Sequence, residues 1–274
     1  MAIKVAGVQM DIAFADIQAN LDKTISKLRE TVAAGAQLTV FPECTFPGYC
    51  FTSLEEAREY AEPCDGPTLQ AVHQICKELD TRTVVGFFEL DKDRLFNAVA
   101  LVGPNGIEGS YRKAHLPHLG VDRFTTPGDR PFSVVDTGAI RVGMNICYDS
   151  SFPEASRALA LAGADLIALP TNWPPTSGRT ADVIPNARAL ENHVYFMSIN
   201  RIGTERGFEF IGKSKIVDPS GKDLAFANHA SEEILYAEID PDWPRNKHLC
   251  NIPGEHEVHR FDDRRPDLYG PLSD

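Results

Sequence analysis

The chain has 274 residues, 43% of them hydrophobic and 24% charged, the balance of a soluble globular protein large enough to bury a substantial core. A net charge of -12 argues against nucleic acid or an anionic membrane as partner, because both need concentrated Lys and Arg. No apolar run approaches the roughly 18 residues needed to cross a bilayer, the opening MAIKVAGVQMD turns polar too early for a signal peptide, and the six irregularly spaced cysteines do not form a disulfide framework, so a reducing cytoplasm is the expected setting.

The chain opens on a strand, Lys4 to Met10. Asp16 then caps a helix whose apolar face is Ile17, Leu21, Ile25, Leu28 and Val32, and Gly35 ends it. Leu38 to Phe41 is a short buried-type strand with Glu43 just beyond it. A second helix covers Thr68 to Leu79. Strands follow at Thr83 to Leu90, Phe96 to Val102 and Ile107 to Arg112, the last two joined by the turn GPNG. Residues 114–131 form a loop with three prolines. Ile140 to Ile146 is a strand leading to Cys147, and Phe152 to Gly163 is a helix. The strand Leu166 to Leu169, a helix from Asp182 to His193 and the strand Val194 to Asn200 come next. Phe210 to Val217, Asp223 to Phe226 and Ile234 to Ile239 read as late strands around the turn DPSG. The expected organisation is one domain over 1–250 and a charged, weakly periodic tail over 251–274 that needs a surface to lie on. AAGAQLTVFPE (33–43) echoes LAGADLIALPT (161–171), which suggests two similar β/α halves in a layered α/β fold with mixed sheets.

Three apolar strands end in a reactive side chain: Glu43, Lys113 and Cys147. In layered α/β proteins such strand ends open onto a crevice, where a carboxylate, an ammonium and a thiol can converge. Cys147 is either a small buried hydrophobe or a nucleophile held on a turn. As a nucleophile it needs a base, because a free thiol is mostly protonated at neutral pH; Glu43 can accept the proton, and the following helix N-terminus favours thiolate. Lys113 and a backbone N–H near Tyr148 can stabilise an oxyanion. This is equipment for acyl transfer through a thioester.

The segments FPECTFPGY around Glu43, YRKAHLP around Lys113 and NICYDSSFPE around Cys147 resemble, in order and separation, the three signature segments of the nitrilase superfamily, the carbon–nitrogen hydrolases. PTNWP and NARALENHVYFMSINR resemble further family segments, so the likeness runs over roughly residues 3–240. It implies a four-layer α-β-β-α sandwich and a Glu43–Lys113–Cys147 catalytic triad. It also implies no metal or organic cofactor, and pairing into a homodimer or higher even oligomer over which the tail reaches. Tyr148 and Asp149 after the nucleophile, in place of the Trp-Glu typical of true nitrilases, point to a small amide or carbamoyl (ureido) substrate. Nitrile hydrolysis, acyl transfer to an amine, and a non-catalytic scaffold are the alternatives. Many relatives carry a second Glu in the loop after the Lys. Here its place falls on Val121, and Asp122 is the candidate second carboxylate.

Tyr49, Asn172 and Trp173 are candidate substrate-binding residues. Cys44, beside Glu43, is expected to face away from the site by strand alternation. Arg188 and Glu191 read as a surface pair. His115 and His118 read as loop or rim residues. The pair in HEVH (256–259) has metal-ligand spacing only if it lies on a helix, and no third ligand is evident.

Overall fold

The structure, a computed structural model, describes residues 2–227 and 231–272. In chain order its elements begin β1 (Ile3–Gln9), α1 (Ile17–Ala33), β2 (Leu38–Val40), α2 (Leu54–Arg58), α3 (Pro67–Leu79), β3 (Arg82–Asp91), β4 (Arg94–Gly103) and β5 (Gly106–Arg112). They continue with β6 (Val134–Asp136), β7 (Arg141–Met144), α4 (Pro153–Leu161), β8 (Leu166–Thr171), α5 (Gly178–Asn192), β9 (Tyr195–Asn200), β10 (Ile202–Glu205) and β11 (Phe208–Ile211). The remaining elements are β12 (Lys215–Val217), β13 (Asp223–Phe226), β14 (Glu233–Ile239), α6 (Asp242–Arg245), β15 (His248–Ile252) and β16 (His256–His259).

Two six-stranded sheets form the centre, ordered β14-β1-β2-β3-β4-β5 and β13-β12-β9-β8-β7-β6. Each contains a parallel trio, β1-β2-β3 in one and β7-β8-β9 in the other, extended by antiparallel strands. The sequence echo falls on β2 and β8, the middle strands of the two trios. Each follows a helix, α1 or α4, that ends at a glycine with positive φ, Gly35 or Gly163. The halves therefore repeat the same β-α-β logic, as the repeat suggested.

One core cluster joins Val5, Val40, Val84 and Val99 of the first sheet to Met144, Ala168, Met197 and Ile216 of the second. Gly7 lets the two sheets pack closely: a Cβ there would stand 2.1 Å from Ile199 Cδ1. A second cluster packs Leu21 and Leu28 of α1 and Leu69, Val72 and Ile75 of α3 onto Val85, Phe87, Ala100 and Val102. On the far side, buried Ala155 and Leu159 of α4 and Ala181 and Ala189 of α5 cover the second sheet. The layers run α-β-β-α. Each large aliphatic side chain so buried stabilises the fold by about 1.5–3 kcal/mol before conformational entropy is counted.

Several elements differ from the sequence reading. Phe210 to Val217 is two strands in different sheets, because Gly212 and Lys213 both take positive φ and turn the chain out of the β10–β11 hairpin. Helix α5 starts at Gly178 rather than Asp182 and accommodates Pro185. The tail is partly ordered by an antiparallel hairpin, β15 with β16, whose first strand straddles residue 250. HEVH lies on that hairpin, so its two histidines have strand spacing rather than helix spacing. Among the described residues, no helix is long and apolar enough to cross a membrane.

Candidate active site

The turn after β2 brings Glu43 under the end of β4, where Asn97 lies beside it. Glu43 is fully buried. Its Oε1 accepts from Lys113 Nζ at 2.7 Å and from Asn97 Nδ2 at 2.7 Å, while its buried Oε2 has no hydrogen-bond partner among the described residues. The space beneath this turn depends on Gly86 of β3: a Cβ there would meet Cys44 N at 2.4 Å.

Lys113 follows β5 directly. Its N–H donates to Asn97 O at 2.8 Å, which continues the β4–β5 ladder and fixes where the side chain starts. Gly128, in the PGD segment, lies against this strand end; its N–H donates to Lys113 O at 2.8 Å, and a Cβ there would stand 2.2 Å from Arg112 O. Lys113 Nζ donates to Glu43 and, at 2.5 Å, to Asp122 Oδ2. Burial works against the ammonium, but the charges of Asp122 and Glu43 outweigh it and hold Lys113 well above its ordinary range. Asp122 sits in a single 3-10 turn, Gly120–Arg123, with Tyr49 OH at 2.8 Å from Oδ2 and Asn97 Nδ2 at 2.9 Å from Oδ1. The shifted position read for the second carboxylate thus places it on the lysine. Burial pushes Glu43 above the usual carboxylate range; Lys113 opposes that shift and Asp122 adds to it.

Cys147 opens a short 3-10 helix, Cys147–Ser151, with φ of +45°, a conformation costly for any residue but glycine and found where surrounding structure imposes it. It is 8% exposed. Burial and then the Glu43 charge push the thiol up to about 12, against Lys113, Thr171 and the Asn172 backbone N–H, which pull it down. The helix N-terminus invoked from sequence to favour thiolate is a five-residue 3-10 turn, too short to offset this burial. Burial and the Glu43 charge thus favour the protonated thiol at Cys147. The first 3-10 bond runs from Asp149 N–H to Ile146 O, so the Tyr148 N–H precedes the hydrogen-bonded turn.

Asn172 and Trp173 follow β8, in the second half's counterpart of the Glu43 turn. Asn172 is buried, and neither of its amide atoms has a partner among the described residues. Trp173 is buried, and its N–H donates to Asn200 Oδ1 at 2.8 Å. Tyr49 is buried; besides Asp122 it is anchored by its N–H to Glu205 Oε2 at 2.9 Å, and Glu205 pairs with buried Arg201 at 3.0 Å.

Three residues behave differently from expectation. Cys44 does not turn away: β2 ends at Val40, so strand alternation no longer applies, and its Sγ lies 3.6 Å from Oδ1 of the same Asn97 that holds Glu43. Arg188 pairs with Glu191 at 3.0 Å but is buried, and its Nε donates to Ser150 O at the end of the cysteine turn. His115 donates to buried Asp149 rather than simply lining a rim. Asn97 escaped the sequence reading, since one polar residue inside an apolar strand carries no motif. Among the described residues, no group of three or more His, Cys, Asp or Glu side chains is placed to hold a metal.

A buried Glu–Lys–Asp cluster lies beside a cysteine turn of positive φ, between two β/α halves. The carbon-nitrogen hydrolase family model matches residues 4–245, and the chain belongs to that family. It is 39% identical over 269 residues to a nitrilase of Pyrococcus abyssi, covering 97% of this chain and 99% of that one. It is 35% identical over 278 residues to an (R)-stereoselective amidase of a Pseudomonas species, covering 98% and 97%. Among solved structures, Saccharomyces cerevisiae Nit3, a member of branch 10 of the nitrilase superfamily, superposes with a TM-score of 0.80 at 29% identity over 89% of this chain and 92% of that one.

Proposed function

We propose that the protein hydrolyses a non-peptide C–N bond of a small amide or carbamoyl compound, through a thioester on Cys147. The observation that carries this reading is the asymmetry of Glu43. Oε1 is occupied by Lys113 and Asn97, so the unpartnered Oε2 is the oxygen available to take a proton. Burial makes this carboxylate a stronger base than usual.

The chemistry then runs as follows. Glu43 Oε2 accepts the Sγ–H proton as Sγ attacks the substrate carbon. Lys113 Nζ and the Tyr148 N–H take the developing oxyanion. The C–N bond breaks as Glu43 returns that proton to nitrogen, and ammonia or an amine leaves. Water enters; Glu43 removes a proton from it as oxygen attacks the thioester, and Sγ departs and regains the proton. Asp122 keeps Lys113 charged throughout, and Asn97 holds both carboxylates in place. Asn172, Trp173 and Tyr49 form the substrate-facing wall. Tyr148 and Asp149 after the nucleophile favour an amide or ureido group over a nitrile.

The enzyme works as a homodimer in the cytoplasm. Leu161 and Leu190 on α4 and α5, and Leu268 and Leu272 in the tail, are exposed apolar side chains that pairing would cover. The six cysteines are free thiols. The test is ammonia release from a panel of amides, ureido acids and nitriles, with Cys147→Ala alongside. Release from amides or ureido acids that disappears in the variant supports the reading. Release from nitriles alone reassigns the substrate, and equal background from both proteins rejects turnover.

A further inference from the structure

Beyond the residues that touch the reacting atoms, one buried carboxylate joins the two strand ends that carry Lys113 and Cys147. Asp149 is fully buried, and four donors converge on it. Tyr111 OH donates to Oδ2 at 2.8 Å, and the Ile146 N–H donates to the same oxygen at 2.9 Å. The His115 N–H donates to Oδ1 at 3.0 Å, and His115 Nδ1 reaches it at 2.7 Å. Tyr111 and His115 lie two residues before and two after Lys113, and Ile146 is the residue before Cys147. The His115 ring is held flat on Phe152, with ring centres 3.8 Å apart and planes 12° apart, and Phe152 leads into α4. Tyr111 OH also accepts from the Ala114 N–H at 3.1 Å, so the segment on both sides of Lys113 is tied to one point.

We infer that Asp149 is a positioning residue, with His115 as its principal partner, that fixes the Lys113 strand end against the Cys147 turn. The inference rests on the reading that Lys113 and Cys147 act on the same carbon. The geometry explains how a non-glycine residue is kept at positive φ: Asp149 pulls the Ile146 N–H inward on one side, and Ser150 Oγ donates to Cys147 O at 2.7 Å on the other. With every bond of Asp149 spent on neighbours of the two reacting groups, its loss changes their separation without removing either group. Misplacement of reacting groups by about 1 Å is enough to cost on the order of a hundredfold in rate.

The test compares Asp149→Asn, His115→Ala and His115→Asn in the full-length protein. The readouts are kcat and KM for the best substrate, the rate of Cys147 alkylation by iodoacetamide, and circular dichroism for folding. In Asp149→Asn, kcat should fall about a hundredfold with KM nearly unchanged, and alkylation should slow about tenfold. His115→Ala should lose about tenfold in kcat, while His115→Asn, whose amide N–H can take the place of Nδ1–H, should recover most of it. A folded Asp149→Asn protein with parental kcat and parental alkylation overturns the inference. So does a His115→Asn protein no better than His115→Ala. If Asp149→Asn does not fold, the His115 pair decides alone. If the parent releases no ammonia from any substrate, the hydrolase reading fails, and the alkylation rates still judge the role of Asp149.

Discussion

Replacing Glu43 by Gln separates two effects that act in opposite directions on Cys147. Burial and the Glu43 charge together push the thiol up to about 12, so at neutral pH the unaided group is held protonated. In the proposed mechanism, turnover therefore depends on proton transfer to Glu43 during attack. The substitution removes that base, and general-base help is worth about a hundred- to ten-thousandfold, or about 3–5 kcal/mol of barrier. It also removes the negative charge beside sulfur, so the Cys147 thiol should become easier to ionise as activity falls. The fold should survive, because Lys113 keeps Asp122 at 2.5 Å and a Gln oxygen can still accept from its Nζ. The assay is kcat by ammonia release together with ultraviolet titration of the thiolate. A kcat within about tenfold of the parent, or a thiol that ionises at the same pH or higher, would refute the assignment of Glu43 as the base.

Further expectations follow from particular contacts. Asn97→Leu removes the donor shared by Glu43 and Asp122; kcat should fall, and thermal denaturation should show a loss of about 1.5–3 kcal/mol per charged hydrogen bond removed. Gly128→Ala forces a Cβ to within 2.2 Å of Arg112 O, so the protein should lose about 1–3 kcal/mol of stability, with a matching disturbance of Lys113 seen as lower kcat. Burial raises Asp165, yet hydrogen bonds from Arg141 and Arg245 hold it below the usual carboxylate range overall. A depressed carboxylate contributes stability above its unfolded pKa and loses it as pH falls through the folded value. Asp165→Asn should therefore weaken the fold by about 1.5–3 kcal/mol at pH 7, with the difference closing in acid, as read from urea midpoints across pH.

The positions proposed for the triad could be picked out because each lies at or just beyond the end of a strand, and a strand end is visible in one sequence. Counting back from PGD landed on Val121, and Asp122 was legible only as the carboxylate beside that position. Asn97 was not, because nothing local distinguishes an asparagine inside β4 that meets a carboxylate from one that meets water. Asp149 was read as a marker of an amide-type branch beside Cys147; the positioning role proposed for it depends on Tyr111 and His115, which reach it through the tertiary fold. The break between β11 and β12 was missed because the apolar pattern runs across Gly212 and Lys213, and backbone conformation rather than hydrophobicity changes there. The thiolate expected at Cys147 was overestimated for a related reason: sequence shows a helix start but not the burial that outweighs it. The two halves were recoverable because the repeat between residues 33–43 and 161–171 marks equivalent middle strands in the two sheets, while the four layers came from the resemblance to the nitrilase superfamily.

The central claim is a covalent acyl-enzyme on Cys147. The most direct measurement is intact-protein and peptide mass spectrometry after rapid acid quench of the enzyme mixed with its best amide substrate. A transient mass increase equal to the acyl group should appear on the peptide containing Cys147 and be absent in Cys147→Ala. Turnover with no adduct at any quench time, or an adduct on another residue, would contradict it.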